Sequence, residues 1–101
     1  MTTNPSREQI AEAVFLVLGG SVRSFQSLLS SHRGSPRAAD LRAVCWKVWR
    51  DLNGMPNYSE TAKHWGRDRR SIARGLQRIA DKRFVSQGEL LRIMQLLGAT
   101  D

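Results

Sequence analysis

The chain has one cysteine, Cys45, among 101 residues. No internal disulfide can form, and a zinc site built of cysteines is excluded. The two histidines, His32 and His64, stand far apart in sequence and lack ligand-like neighbours. No apolar run approaches the roughly 20 residues of a membrane-spanning helix. The N-terminal MTTNPSREQ lacks the basic start and apolar centre of a signal peptide. A cytoplasmic protein with no membrane partner is expected. Strand-like alternation is nearly absent, as are internal repeats and low-complexity segments. The nine acids are scattered, with no paired spacing for acid/base work and no serine, histidine and acid triad. Gly19-Gly20 lacks the lysine and hydroxyl residue that complete a phosphate loop. Neither an enzyme nor a bound cofactor, metal or small-molecule substrate is expected.

What the chain does have is positive charge. Sixteen Lys and Arg against nine Asp and Glu give a formal net charge of +7, and the isoelectric point is about 11.1. A domain this basic usually meets a polyanion, most often nucleic acid. Hydrophobic residues are 41% of the chain, enough for one core in a single domain over 1–101 and too short for two.

Helical periodicity recurs throughout. A first helix is expected over about Ser6 to Leu18, capped by Ser6, with Ile10, Val14, Phe15 and Leu18 on its apolar face. Gly19-Gly20 stops it. A short helix over about Val22 to Ser30 carries Phe25, Leu28 and Leu29, and the polar SSHRGSPR that follows reads as a loop. Pro36 suits the first position of a third helix, about Pro36 to Asn53. There Leu41, Val44, Cys45, Val48 and Leu52 recur at i, i+3, i+4, i+7 and i+11. Cys45 falls on that stripe as a buried, inert thiol. Trp46 and Trp49 flank the stripe, either widening the buried face or offering a base-stacking platform. Asn53-Gly54 and Pro56 end the helix. Ser59 is expected to cap a fourth helix, Glu60 to Trp65. Asp68 caps a fifth, Arg69 to Arg83, with Ile72, Leu76, Ile79 and Ala80 as its buried stripe. Gly75 within it permits close packing or a bend. A sixth helix, Ser86 to Leu97, places Leu90, Ile93, Met94 and Leu97 on one face. The expected fold is all-α, about six helices and no sheet.

The densest information lies in YSETAKHWGRDRRSIARGLQRI. Ala62, Gly66 and Ile72 have the internal spacing of a helix-turn-helix: a small residue where two helices approach, a turn glycine, and an apolar anchor on the second helix. Arg67, Arg69, Arg70, Arg74 and Arg78 crowd the turn and the second helix. Cations at the start of a helix presented this way suit the major groove of DNA. The helix N-terminus adds partial positive charge and amides for a phosphate. Arginine can read guanine or hold phosphate, and the residues alone leave both roles open. Arg33 and Arg37, in and beside the earlier loop, are either minor-groove contacts or ordinary loop residues.

These pieces together resemble the C-terminal DNA-binding domain of the bacterial replication initiator DnaA. The similarity is carried by SFQSLLSSHRGSPRAADLRAVCWKVWRDL and YSETAKHWGRDRRSIARGLQRIADK. It runs from about Arg7 to Leu97 and is strongest over Phe25 to Lys82. The resemblance implies that Arg33, which follows the LLS of Leu28 to Ser30, enters the minor groove. It also implies that DRRSI, Asp68 to Ile72, matches the family's base-contacting DHTTV. Arg69 stands where that signature has histidine, Arg70 and Ser71 where it has threonines, and one glycine, Gly66, precedes Arg67-Asp68 where the family has two. Replacing a thymine-reading threonine by arginine predicts a changed base preference. The candidate DNA-binding residues are thus Arg33, Arg37, Arg67, Asp68, Arg69, Arg70, Ser71, Arg74, Gln77 and Arg78. The initiator's ATPase domain has no counterpart, so the chain reads as a stand-alone small protein or as a fragment.

Two functions follow as expectations. One is a duplex-DNA binder at the nucleoid, acting in control of replication initiation or in transcription regulation. The other is a protein-interaction adaptor, binding the initiator or another replication protein, that keeps the fold and uses Trp46, Trp49 and Trp65 as exposed aromatics.

Overall fold

The computed structural model describes residues 5–19, 26–29 and 36–98. Among them run six helices and no strand: α1 (Arg7–Leu18), α2 (Gln26–Leu29), α3 (Pro36–Leu52), α4 (Tyr58–Trp65), α5 (Arg69–Lys82) and α6 (Gln87–Leu96). The protein is all-α, as its periodicity predicts. The remainder of the expected second helix lies outside the described residues.

Local chemistry sets the helix ends. The Ser6 hydroxyl accepts from Gln9 N while Gln9 Oε1 accepts from Ser6 N, a reciprocal capping box that starts α1. Ser86 and Glu89 make the same arrangement at α6. The start of α4 differs from expectation. Its cap is Asn57 rather than Ser59, with Asn57 Oδ1 accepting from Glu60 N at 2.8 Å. Asn57 is extended and follows Pro56, so its short amide reaches the third helical amide. Ser59 becomes the second residue of the helix. At the end of α3, Asn53 Nδ2 donates to Trp49 O (2.7 Å) and Gly54 takes a left-handed φ of 75°. Met55 follows with φ 59°, and its N–H donates to Arg50 O. α5 ends one residue earlier than expected, because Arg83 adopts the left-handed cap.

α3 is the central element. α1, α2, α4 and α5 pack on it, and α6 closes against α1. Leu41, Val44, Cys45 and Val48 are fully buried, as are Ile10 and Val14 from α1, Ile72 from α5 and Ile93 from α6. Each side chain of this size stabilises the fold by about 1.5–3 kcal/mol on full burial. The Cys45 thiol is free and enclosed, and burial pushes it up to about 12. It is therefore a protonated core group at neutral pH.

The inward face of α5 is not quite the expected one. Ala80 is exposed and Leu76 half-buried, whereas Gly75 is buried with Ile72 and Ile79. Successive helical residues turn by about 100°, so a face centred on Ile72, Gly75 and Ile79 leaves Ala80 outside. Gly75 lies against α3, and a Cβ there would stand 2.7 Å from Trp46 Cζ3 and 3.0 Å from Ala43 Cβ. The glycine therefore serves close packing. Gly75→Ala gains up to about 1 kcal/mol of helix propensity but overpacks the contact at a cost of about 1–3 kcal/mol. Trp46 is itself buried and has little room to move. Net destabilisation of up to about 2 kcal/mol is expected in urea unfolding; a gain in stability would refute the close contact.

Candidate nucleic-acid interface

α4 and α5 are joined by a three-residue turn, Gly66 to Asp68. Gly66 has φ 65°, and the Arg67 N–H donates back to Ala62 O at 2.9 Å, closing the helix end in the Schellman manner. Ala62 and Trp65 are buried at the joint and Ile72 anchors α5 beneath it. The Ala62, Gly66 and Ile72 spacing thus produces the helix, turn and helix that it predicts. A side chain at Gly66 would meet open space but would be strained by the left-handed backbone. Gly66→Ala is expected to cost about 1–2 kcal/mol. Gly66→Asn should cost less, as measured by thermal unfolding.

Asp68 starts α5. Its Oδ1 accepts from Ser71 N at 2.7 Å. That amide, then the Ser71 hydroxyl and more weakly Arg70 and Arg74, hold its carboxyl below the usual range. Asp68 is therefore an ionised cap, and half-buried Ser71 is its partner. Arg69 and Arg70 stand exposed in the first turn, and Arg74 is exposed one turn on. Gln77 is also exposed and its amide donates to Asp81 Oδ1 at 2.9 Å. Arg70, Arg74 and Gln77, spaced i, i+4 and i+7, form one outward stripe opposite the buried Gly75.

Other candidate residues lie elsewhere. Arg78 faces α3, half-buried, with its Nε 3.3 Å from Asp40 Oδ1, a charge contact without hydrogen-bond alignment. It follows Ser71 by seven residues and so shares that flank of the helix. Arg37, in the first turn of α3, donates from Nη2 to Leu18 O at 3.0 Å and ties α3 to the end of α1. Arg33 and the rest of the loop from His32 to Ser35 lie outside the described residues. Arg67 is half-buried in the turn, and close to it on α3 is Arg42, only 7% exposed. Burial first, and then the charge of Arg67, push the Arg42 guanidinium below its ordinary value. Arg42 was not among the expected site residues. The signal was an arginine set inside the apolar run of α3, between Leu41 and Ala43.

The three tryptophans are buried, at 6%, 9% and 7% exposure for Trp46, Trp49 and Trp65. Neither a base-stacking platform nor an aromatic docking surface is built from them. Trp46 holds Gly75, and Trp49 stacks on His64 with centroids 4.4 Å apart and planes 18° apart. His64 also meets Trp65 edge-on, and its carbonyl accepts from Arg7 Nη1 at 3.3 Å. Among the described residues no helix is long and apolar enough to cross a membrane, and no group of three His, Cys, Asp or Glu could hold a metal ion. Comparison with protein families, curated proteins and solved structures found no match.

Burial, and then Arg7, favour the neutral form of His64, so its ring titrates below the ordinary 6.5. A group whose value is lowered by folding contributes stability that is complete above the unfolded value. That stability is lost as pH falls through the folded one. The urea midpoint should therefore drop as pH is lowered below about 6.5. Tryptophan emission should be quenched over the same window as imidazolium forms on Trp49. Both effects should shrink in His64→Gln, and equal profiles for the two proteins would contradict the assignment.

Proposed function

We propose that this chain binds duplex DNA by laying α5 in the major groove, in control of replication initiation or of transcription. The observation that carries the reading is the Arg70, Arg74 and Gln77 stripe. These side chains project from a helix whose rotation is fixed by Ile72, Gly75 and Ile79 on its other side. Arg69 and Arg67 extend the positive surface back to the turn. There the positive end of the α5 dipole adds attraction for phosphate. A helix presented after a tight turn, with cations in its first turns, matches the way second helices of helix-turn-helix proteins enter DNA. The similarity of YSETAKHWGRDRRSIARGLQRI to the DnaA C-terminal domain supports the same reading.

Within this proposal the residues divide by role. Arg70 and Arg74 reach base edges or the phosphates bordering them, Arg69 and Arg67 hold phosphate, and Asp68 and Ser71 set the start of the helix. Arg78 and Arg37 act through the fold, keeping α5 and α1 against α3. Fluorescence anisotropy on randomised duplex pools, with selection and sequencing of the bound fraction, tests this at low and near-physiological salt. An enriched motif that survives the higher salt is expected. Arg70→Ala or Arg74→Ala should cost about 1–3 kcal/mol of affinity for that motif where the arginine reads a base. Where it holds a phosphate, the salt slope should instead fall by about 1 with little change in preference. Binding that is uniform across sequences and vanishes with salt would reduce the protein to backbone attraction.

A further inference from the structure

A groove of about 670 Å³ lies between the C-terminal half of α3, α5 and the start of α6. Its apolar lining is Met55, Leu76, Ile79, Val85 and Leu90. Val85, Ile79 and Leu90 are packed into the core, while Met55 is 56% exposed and Ala80 stands exposed beside them. The rim is charged and unbalanced. Lys47, Arg50 and Arg83 border it against one acid, Asp51, which lies 3.6 Å from Lys47. Arg50 donates from Nε to Pro56 O at 2.9 Å and lies over the Tyr58 ring, so the exposed Arg83 is the leading cation of the rim. Among the described residues, Met55 and Arg83 are the two non-glycine positions with positive φ, and both line this groove. Backbone strain of this kind concentrates where side-chain placement serves a function.

We propose that this groove docks an acidic amphipathic helix of a partner protein. The floor takes apolar side chains and the rim cations take carboxylates. No strand is present among the described residues to offer an open edge. An extended segment would therefore leave its own backbone groups unpaired, whereas a helix brings them already satisfied. On α5 and its cap the groove is served by Leu76, Ile79, Ala80 and Arg83, at i, i+3, i+4 and i+7. The stripe of Arg70, Arg74 and Gln77 lies on a separate arc of that helix. The groove and the proposed DNA face are thus available together, and this inference does not rest on the DNA reading.

The test is selection of a phage-displayed random peptide library, about 18 residues or five helical turns long, against the intact chain. Enriched peptides should carry Leu, Ile, Phe or Trp at i, i+4 and i+7, bordered by Asp or Glu. Amide shifts on adding a synthetic copy should centre on Met55, Ala80, Arg83 and Gln87. Arg83→Gly keeps the left-handed backbone and removes the side chain with its charge, so it should fold and weaken binding roughly tenfold. Arg83→Glu should prefer a copy whose acids are changed to lysine. The Arg70→Ala, Arg74→Ala double variant should bind the peptide as the parent does, whatever it does to DNA. The proposal is overturned by the absence of enrichment or by enriched peptides without acids. It is also overturned by shifts confined to Arg69 to Arg74, the pattern of a peptide that mimics the DNA backbone.

Discussion

The contact between Gly75 and Trp46 sets the rotation of α5 against α3. A helix can rotate about its own axis while keeping an apolar stripe roughly buried, so Ile72 and Ile79 alone would fix α5 only loosely. A glycine pressed on an indole and on the Ala43 methyl removes that freedom, since any other face of α5 would bring a side chain into the same space. Once the rotation is set, so is the outward stripe. Arg70, Arg74 and Gln77 face away from α3 because Gly75 faces it. The ion contact of Arg78 with Asp40 supports the same rotation from the flank. The exposed arginines thus owe their presentation to a residue that carries no side chain at all.

The turn before α5 fixes the other coordinate, where the helix begins. Gly66 reverses the chain, the Arg67 amide closes α4, and Asp68 opens α5 on the Ser71 amide. Three residues therefore end one helix and start the next without a spare position. The positive end of α5 and the guanidinium groups of Arg67, Arg69 and Arg70 lie together at that start. The groove proposed to take a partner helix is bounded by two left-handed residues of a different kind. At Met55 and Arg83 the backbone adopts a conformation that glycine would hold more easily. The side chains kept there are the ones that line the groove.

Much of this was legible in the residues. α1, α3, α5 and α6 announced themselves because each carries a 3.6-residue apolar stripe, and the turn because Gly66 sits four positions after Ala62. Asp68 could be read as a cap because a short carboxylate before RRSI has an obvious amide to accept from. The errors have physical sources too. Ser59 and Asn57 both have capping side chains, and only the backbone emerging from Pro56 decides between them. Ala80 fits an apolar pattern as well as Gly75 does, and periodicity has no means of recording a helix that packs on a glycine. The tryptophans are ambiguous because a large ring at helical spacing serves either a core or a surface. What settles Trp49 is His64, fifteen residues on, which no local pattern links to it. Arg78 and Arg37 look like members of a basic cluster until their partners, Asp40 and the Leu18 carbonyl, arrive from other helices.

Arg42 poses the harder physical question, since a guanidinium is costly to bury. It is held on the central helix, nearly out of solvent, close enough to Arg67 for the two charges to repel. Like charges held near each other raise the local potential, and the low dielectric around the buried one weakens screening by water and salt. The half-buried Arg67 in the turn therefore acts with a second charge behind it. An anion arriving at the turn meets the field of both guanidinium groups, although only one of them has a substantial surface. Within the proposed DNA complex, a phosphate at the turn would offset the repulsion between the two guanidinium groups. This is the electrostatic counterpart of the Gly75 clasp: one feature of α3 aims the exposed arginines, and the other deepens the positive potential where they begin.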